Sequence, residues 1–173
     1  SEVRLVPAAD PTAAPLVVRP RQTGVEYDVD VRDGTIWVHT NDEHANFRLA
    51  TAPLAAPGDW TTVIAGSDEF YLTGFDLFRD FYVVEGRRGG LDQVRLRYYE
   101  DSARVEPVAF PGASYVAGLG DNPEYAGDTL RLSYQSMVTP GSVYDYHVAS
   151  GALELLKQQE IPSGYYPTLY TTE

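Results

Sequence analysis

Short runs in which apolar and polar residues alternate follow one another along this chain, and each run ends at a turn signal. Val25–Val31 alternates and then meets Asp33-Gly34, a dipeptide suited to a two-residue hairpin because both residues tolerate positive φ. Thr35–Thr40 is the predicted return strand, Asn46–Ala50 is the next, and Trp60–Ile64 follows a loop rich in Pro and Gly. The same order then comes round again. Tyr71–Phe78 turns at Arg79-Asp80 into Phe81–Glu85, the loop Gly86–Gly90 leads to Gln93–Tyr99, and Asp101-Ser102 turns into Arg104–Phe110. A third round runs through Tyr115–Leu119, the longer loop Gly120–Gly127, Thr129–Gln135, Ser142–Val148 and Ala152–Gln158.

Equivalent points measure the period. The first turn of each round ends near Gly34, Asp80 and Asp128, which are 46 and 48 residues apart. The third strand of each round contains Phe47, Val94 and Val143, which are 47 and 49 apart. A four-strand unit repeating in the forties is the sequence signature of a propeller blade, which buries its faces only by stacking on neighbours. Glu2–Pro7 and Pro15–Arg19 read as the last two strands of an earlier blade. The expected fold is therefore all-β, a partial β-propeller of about three and a half four-stranded antiparallel blades. The propeller spans 1–164, with a half blade over 1–24 and blades over about 25–65, 70–110 and 113–158; 165–173 is an exit segment. Propellers have four to eight blades, so a chain cut within a blade on its N-terminal side is expected. Ala152–Gln159 has high helix propensity, but it is short and stands where an outer strand belongs, so strand is predicted.

Composition agrees with strands joined by turns: 13 Tyr, 6 Phe and 2 Trp accompany 15 Gly and 12 Pro. The 25 acidic residues outnumber 13 basic ones, giving a net charge of −12. That argues against a nucleic-acid partner, which needs clustered Lys and Arg. The acidity either attracts cationic ligands or only keeps the protein soluble. There is no cysteine, which removes disulfides, thiolate metal sites and a cysteine nucleophile. No apolar run approaches the roughly 20 residues of a membrane helix, and the start lacks a basic region followed by an apolar one, so no membrane partner and a cytoplasmic setting are expected.

Candidate chemistry is sparse. His39, His44 and His147 form no zinc-binding spacing. Asn41-Asp42-Glu43-His44 is polar enough to hold a cation, but a solvated strand-to-strand loop is the expected reading. Gly112-Ala113-Ser114 begins like a nucleophile elbow but lacks the second glycine and a following helix. Gly118-Leu119-Gly120 lacks the rest of a dinucleotide loop, and Asp121-Asn122-Pro123-Glu124 lacks calcium-loop spacing. No catalytic, cofactor-binding or metal residue is nominated.

Several stretches are familiar in order and spacing. Thr40-Asn41 with Asn46-Phe47-Arg48-Leu49, then Gly74-Phe75-Asp76-Leu77-Phe78, then Gly118-Leu119-Gly120-Asp121-Asn122-Pro123-Glu124-Tyr125 resemble the propeller of the oligopeptidase B (protease II) group of the prolyl oligopeptidase family. So do Thr139-Pro140-Gly141-Ser142-Val143-Tyr144-Asp145-Tyr146 and Leu155–Glu160, while Gly164-Tyr165 and Tyr170 resemble its exit toward the peptidase domain. Two departures stand at Glu85-Gly86 and Ala126-Gly127-Asp128, both read as lying in or beside loops. The resemblance implies a gating propeller over an α/β-hydrolase domain that carries a Ser-His-Asp triad and cleaves short peptides after Arg or Lys. It places the triad outside this chain, so the chain alone is expected to be inactive, without a cofactor. Implied partners are that hydrolase domain, short cationic peptides, and further copies of the chain meeting at exposed blade flanks. A stand-alone propeller-type binding module and an all-β enzyme with a carboxylate pair are the alternatives.

Overall fold

The computed structural model describes residues 1–164, 166, 169 and 170, and every regular β or helical element of length among them is a strand. A two-stranded ribbon, β1 (Arg4–Leu5) and β2 (Leu16–Val17), comes first. Three four-stranded sheets follow, each a meander in which strands pair in chain order. They are β3 (Tyr27–Arg32), β4 (Thr35–Thr40), β5 (Arg48–Pro53) and β6 (Thr61–Ile64); β7 (Tyr71–Leu77), β8 (Phe81–Arg88), β9 (Leu91–Tyr98) and β10 (Val105–Pro107); and β11 (Val116–Leu119), β12 (Thr129–Gln135), β13 (Ser142–His147) and β14 (Ala152–Gln158). This is the partial propeller read from the repeat. The outer segment Ala152–Gln158 is a strand despite its helix propensity, because pairing with β13 supplies its backbone partners. Tyr165 and most of the exit segment lie outside the described residues.

Turn chemistry explains the hairpins. Asp33 and Gly34 both take positive φ, at 49° and 76°, between the paired Arg32 and Thr35. Gly89 and Gly90 do the same at 58° and 83°, between Arg88 and Leu91. The predicted loop Gly86–Gly90 is therefore mostly strand, and Glu85-Gly86 lies within β8 rather than beside a loop. In both the first and third sheets the last strand carries an extra residue opposite the third: Val63 beside Leu49/Ala50, and Leu156 beside Val143/Tyr144. Such bulges sharpen the local twist of an outer strand.

The chain divides into two compact units, Ser1–Leu72 and Thr73–Glu173. In the first, Val18, Tyr27, Ile36, Val38 and Ala50 form the core, with Val3, Leu5, Val29 and Trp60 against it. The Tyr27 hydroxyl fastens the ribbon to this sheet, accepting from Val3 N at 2.9 Å and donating to Arg19 O. In the second unit, Phe81, Val83, Val94 and Leu96 of one sheet share a core with Leu130, Leu132 and Tyr146 of the next. Each fully buried Leu or Val contributes roughly 1.5–3 kcal/mol relative to exposure. β12 alternates cleanly: Leu130, Leu132 and Tyr134 are buried, while Arg131, Ser133 and Gln135 are exposed.

A buried charge anchors the first unit. Arg48 is only 2% exposed, and its guanidinium donates to Asp42 Oδ1 at 2.7 Å and Oδ2 at 2.9 Å. Arg19 adds a donor to the same carboxylate at 3.1 Å and lies 3.4 Å over the Trp60 ring. Burial pushes the Asp42 pKa upward, but the hydrogen bonds and charges of Arg48 and Arg19 outweigh it and hold the carboxyl below its ordinary value. A lowered pKa means stability that is present above the ordinary aspartate range and is lost as pH falls through the lowered value. Removing one partner of such a pair strands the other charge, so Arg48→Ala is expected to cost about 3–5 kcal/mol. Arg48→Lys, which keeps the charge but not the two-pronged geometry, is expected to cost less. Urea unfolding of the two variants measures both; a loss below about 1 kcal/mol for the alanine variant contradicts the anchoring role.

Candidate functional site

Three carboxylates gather where the second and third sheets meet, within the second unit. Glu85 rises from β8, Asp92 from β9 and Asp76 from β7. β11 is the edge strand of its sheet, so its outward N–H groups have no ladder partner. Glu85 Oε1 accepts from Leu119 N at 2.6 Å, and Asp92 Oδ2 accepts from Ala117 N at 3.1 Å. Two carboxylates of one blade thus occupy alternate edge amides of the next. Arg87 Nε steadies Asp92 from the other side at 2.8 Å.

Gly118 makes room for this contact, whereas a side chain at Gly74 would stand at ordinary contact distance. A Cβ on Gly118 would stand 2.8 Å from Glu85 Oε1, and one on Gly74 would stand 3.5 Å from Oε2. Burial, reinforced by the nearby charges of Asp76 and Asp92, raises the Glu85 pKa, against the lowering effect of the Leu119 N–H. Burial likewise raises the pKa of Tyr115, with Asp92 adding to it. A buried carboxyl of raised pKa is a familiar acid–base group, but no Ser or Thr hydroxyl among the described residues hydrogen-bonds a histidine. What the cluster offers chemically is negative potential on an inner strand and a seal on that strand's edge.

The first sheet carries a related contact. His39 occupies the β4 position opposite Asp28, buried, with Nδ1 2.9 Å from Asp28 Oδ1 and Nε2 3.0 Å from Leu72 O, and its ring stacks on Phe47 at 4.6 Å. Leu72 is the second residue of β7, the first strand of the following sheet, so a second-strand side chain again reaches a first-strand backbone group. Phe47 holds this arrangement at a positive φ of 62°, unusual for an aromatic residue. Gly66 is required beside it, since a Cβ there would stand 2.3 Å from His44 Cβ.

The other residues singled out in the sequence have structural work. Asp42 of the Asn41–His44 cluster serves Arg48 and Arg19, and His147 pairs with Glu154 at 3.0 Å. Ser114 is exposed in the link before β11, which is a strand and not the helix an elbow needs. Asn122 of the Gly118–Tyr125 stretch stitches its loop: Oδ1 accepts from Arg131 N at 2.7 Å, and Nδ2 donates to Gly120 O at 2.8 Å. That loop borders an open cavity of about 450 Å³ lined by Asp121, Glu124, Asp128 and the Arg131–Asp145 pair. The contacts of Glu85 and Asp92 with β11 leave no mark in the sequence. In so acidic a chain, no spacing distinguishes these carboxylates, and only the glycines at Gly74 and Gly118 mark the inner strands.

Comparison with known proteins matches residues 1–159 to the prolyl oligopeptidase N-terminal β-propeller domain. Dipeptidyl aminopeptidase BI of Pseudoxanthomonas mexicana is 38% identical over 100% of this chain, which spans 24% of that protein. Protease 2 of Moraxella lacunata is 22% identical over 95% of the chain and 24% of its own length. Among solved structures, oligopeptidase B from Trypanosoma brucei with covalently bound antipain aligns at TM-score 0.83 and 30% identity, covering 90% of this chain and 23% of that one. Oligopeptidase B from Leishmania major aligns at 0.86 and 25%, covering 96% and 25%. The chain thus spans about a quarter of the relatives it matches.

The raised Glu85 pKa has a definite sign. Folding favours its protonated form, so its contribution is most favourable at acid pH and is lost as pH rises through the raised value. Glu85→Gln keeps an acceptor for Leu119 N and removes the charge. It is expected to raise the unfolding midpoint at pH 7.5 and to have no effect at pH 4; equal effects at both refute the assignment. Gly118→Ala drives a methyl against Glu85 and is expected to lower the midpoint, read by the same thermal unfolding.

Proposed function

The chain belongs to the prolyl oligopeptidase family through its N-terminal β-propeller domain, and from that premise we propose that its parent is a serine-type oligopeptidase cleaving short peptides after Arg or Lys. The observation that carries this reading is the match of residues 1–159 to the N-terminal β-propeller domain of the family, together with similarity to two oligopeptidase B structures. The preference for basic peptides draws on the excess of 25 acidic over 13 basic residues and on the Asp76, Glu85 and Asp92 cluster.

In this reading the bond-breaking groups belong to a hydrolase domain outside the chain, which would work by acyl transfer through an activated serine and an oxyanion hole. The propeller residues contribute exclusion and field. Stacked blades keep folded proteins out, and carboxylates beside β11 favour guanidinium and ammonium groups over anions. Screening limits that field to about 8 Å at physiological salt, so it acts on peptides already inside the passage.

A second reading, release of dipeptides from peptide N-termini, is favoured by the 38% identity to a dipeptidyl aminopeptidase. Fluorogenic substrates on the full-length polypeptide separate the two. Turnover of N-acetylated Arg- and Lys-peptides, blocked by a serine-reactive phosphonate, is expected for the first reading. Turnover confined to free N-termini selects the second, and absence of any phosphonate-sensitive turnover excludes both. The 173-residue chain alone is expected to give no turnover.

A further inference from the structure

Met137 is the only methionine in the chain and, at 90%, the most exposed large apolar side chain among the described residues. Its exposure does not come from a loose loop. The turn between β12 and β13 is closed by Ser136 N donating to Thr139 O at 3.0 Å and Thr139 N donating to Ser136 O at 3.4 Å. Val138 N donates to Ser136 Oγ at 3.2 Å, and Pro140 follows. A fixed four-residue turn therefore holds a thioether out in solvent.

The surroundings say what this projection faces. A shallow cavity of about 290 Å³ beside it is lined by Met137, Val138, Pro140, Gln159 and Ile161, and Ile161 is itself exposed. Gln159 N donates to Gly141 O at 2.8 Å, tying the end of β14 to the base of the turn. Residue 159 is also where the match to the propeller family ends. The family match thus ends next to Met137, and on the family reading the catalytic domain is joined through the segment that begins there, which raises its effective concentration at Met137. Methionine suits a contact between bodies that shift slightly, because its unbranched chain adapts to an imperfect recess.

We propose that the Ser136–Pro140 turn, with Met137 at its tip, is a docking contact for the catalytic domain that follows the propeller in the same polypeptide. The inference rests on the family reading above. The recess that receives Met137 is apolar, since a polar one would leave its own groups without partners.

Peroxide footprinting of the full-length polypeptide tests this. Peroxide oxidises the thioether sulfur by two electrons, transferring one oxygen and leaving water. Peptide-resolved mass spectrometry is expected to show Met137 sulfoxide forming at least tenfold more slowly in the folded polypeptide than in the same polypeptide unfolded in urea. Rates within twofold of each other overturn the proposal. Protection that disappears on dilution overturns it too, because it places a second copy on the turn. Met137→Glu is expected to speed hydrogen exchange of residues 136–141 about tenfold, and Met137→Leu to leave it unchanged; no change in the first variant also overturns the proposal. Labelling the same sample with a fluorophosphonate reads the catalytic domain separately. Labelling with an unprotected Met137 removes the docking contact and leaves the family reading standing, whereas absent labelling counts against the family reading itself.

Discussion

One apolar layer holds the second unit together. The faces of β8 and β9 turned toward the third sheet present Phe81, Val83, Val94 and Leu96, and those of β12 and β13 answer with Leu130, Leu132 and Tyr146. A single four-stranded sheet has two faces and no means of burying either by itself, so this shared layer is the condition on which the strands exist as strands. Burial without strain is possible because β12 keeps strict alternation, sending Leu130, Leu132 and Tyr134 inward while Arg131, Ser133 and Gln135 stay in water. A slip of one residue in that strand would exchange the two sets, which fixes the register.

Polar contacts then specify what the apolar layer only permits. Glu85 and Asp92 meet alternate amides of β11, His39 meets the carbonyl of Leu72, and Arg48 gathers Asp42 inside the first unit. Each places a charge or polar group at a buried or half-buried site and compensates it with aimed partners, which narrows the geometries available to neighbouring strands. The aromatic group Phe110, Tyr115, Tyr134 and Tyr144, with ring centroids 5.4–6.0 Å apart, fills the region around the start of β11.

The sequence exposed the fold through its turns and its period. Asp33-Gly34 announced a hairpin because only residues tolerant of positive φ fit there, and the four-strand rhythm announced blades. Gly89-Gly90 carries the same information, yet the three glycines of Gly86–Gly90 read as one loop, so the predicted strand Phe81–Glu85 is three residues shorter than β8. Ala152–Gln158 showed the reverse conflict, where helix propensity yielded to pairing with β13. The site was far less legible. Phe47 at positive φ, the burial of Arg48, and the choice of Glu85 over other carboxylates all follow from neighbours distant in sequence, which no local pattern records.

The seal on β11 has a consequence for any peptide passing nearby. Extended peptides bind β-proteins readily by adding themselves as one more strand to an open edge, through main-chain hydrogen bonds that ignore side-chain identity. At Ala117 and Leu119 those donors are already taken by Asp92 and Glu85. An extended segment meeting this edge therefore finds two of the edge's donors occupied, and pairing there as a further strand first requires the displacement of both carboxylates.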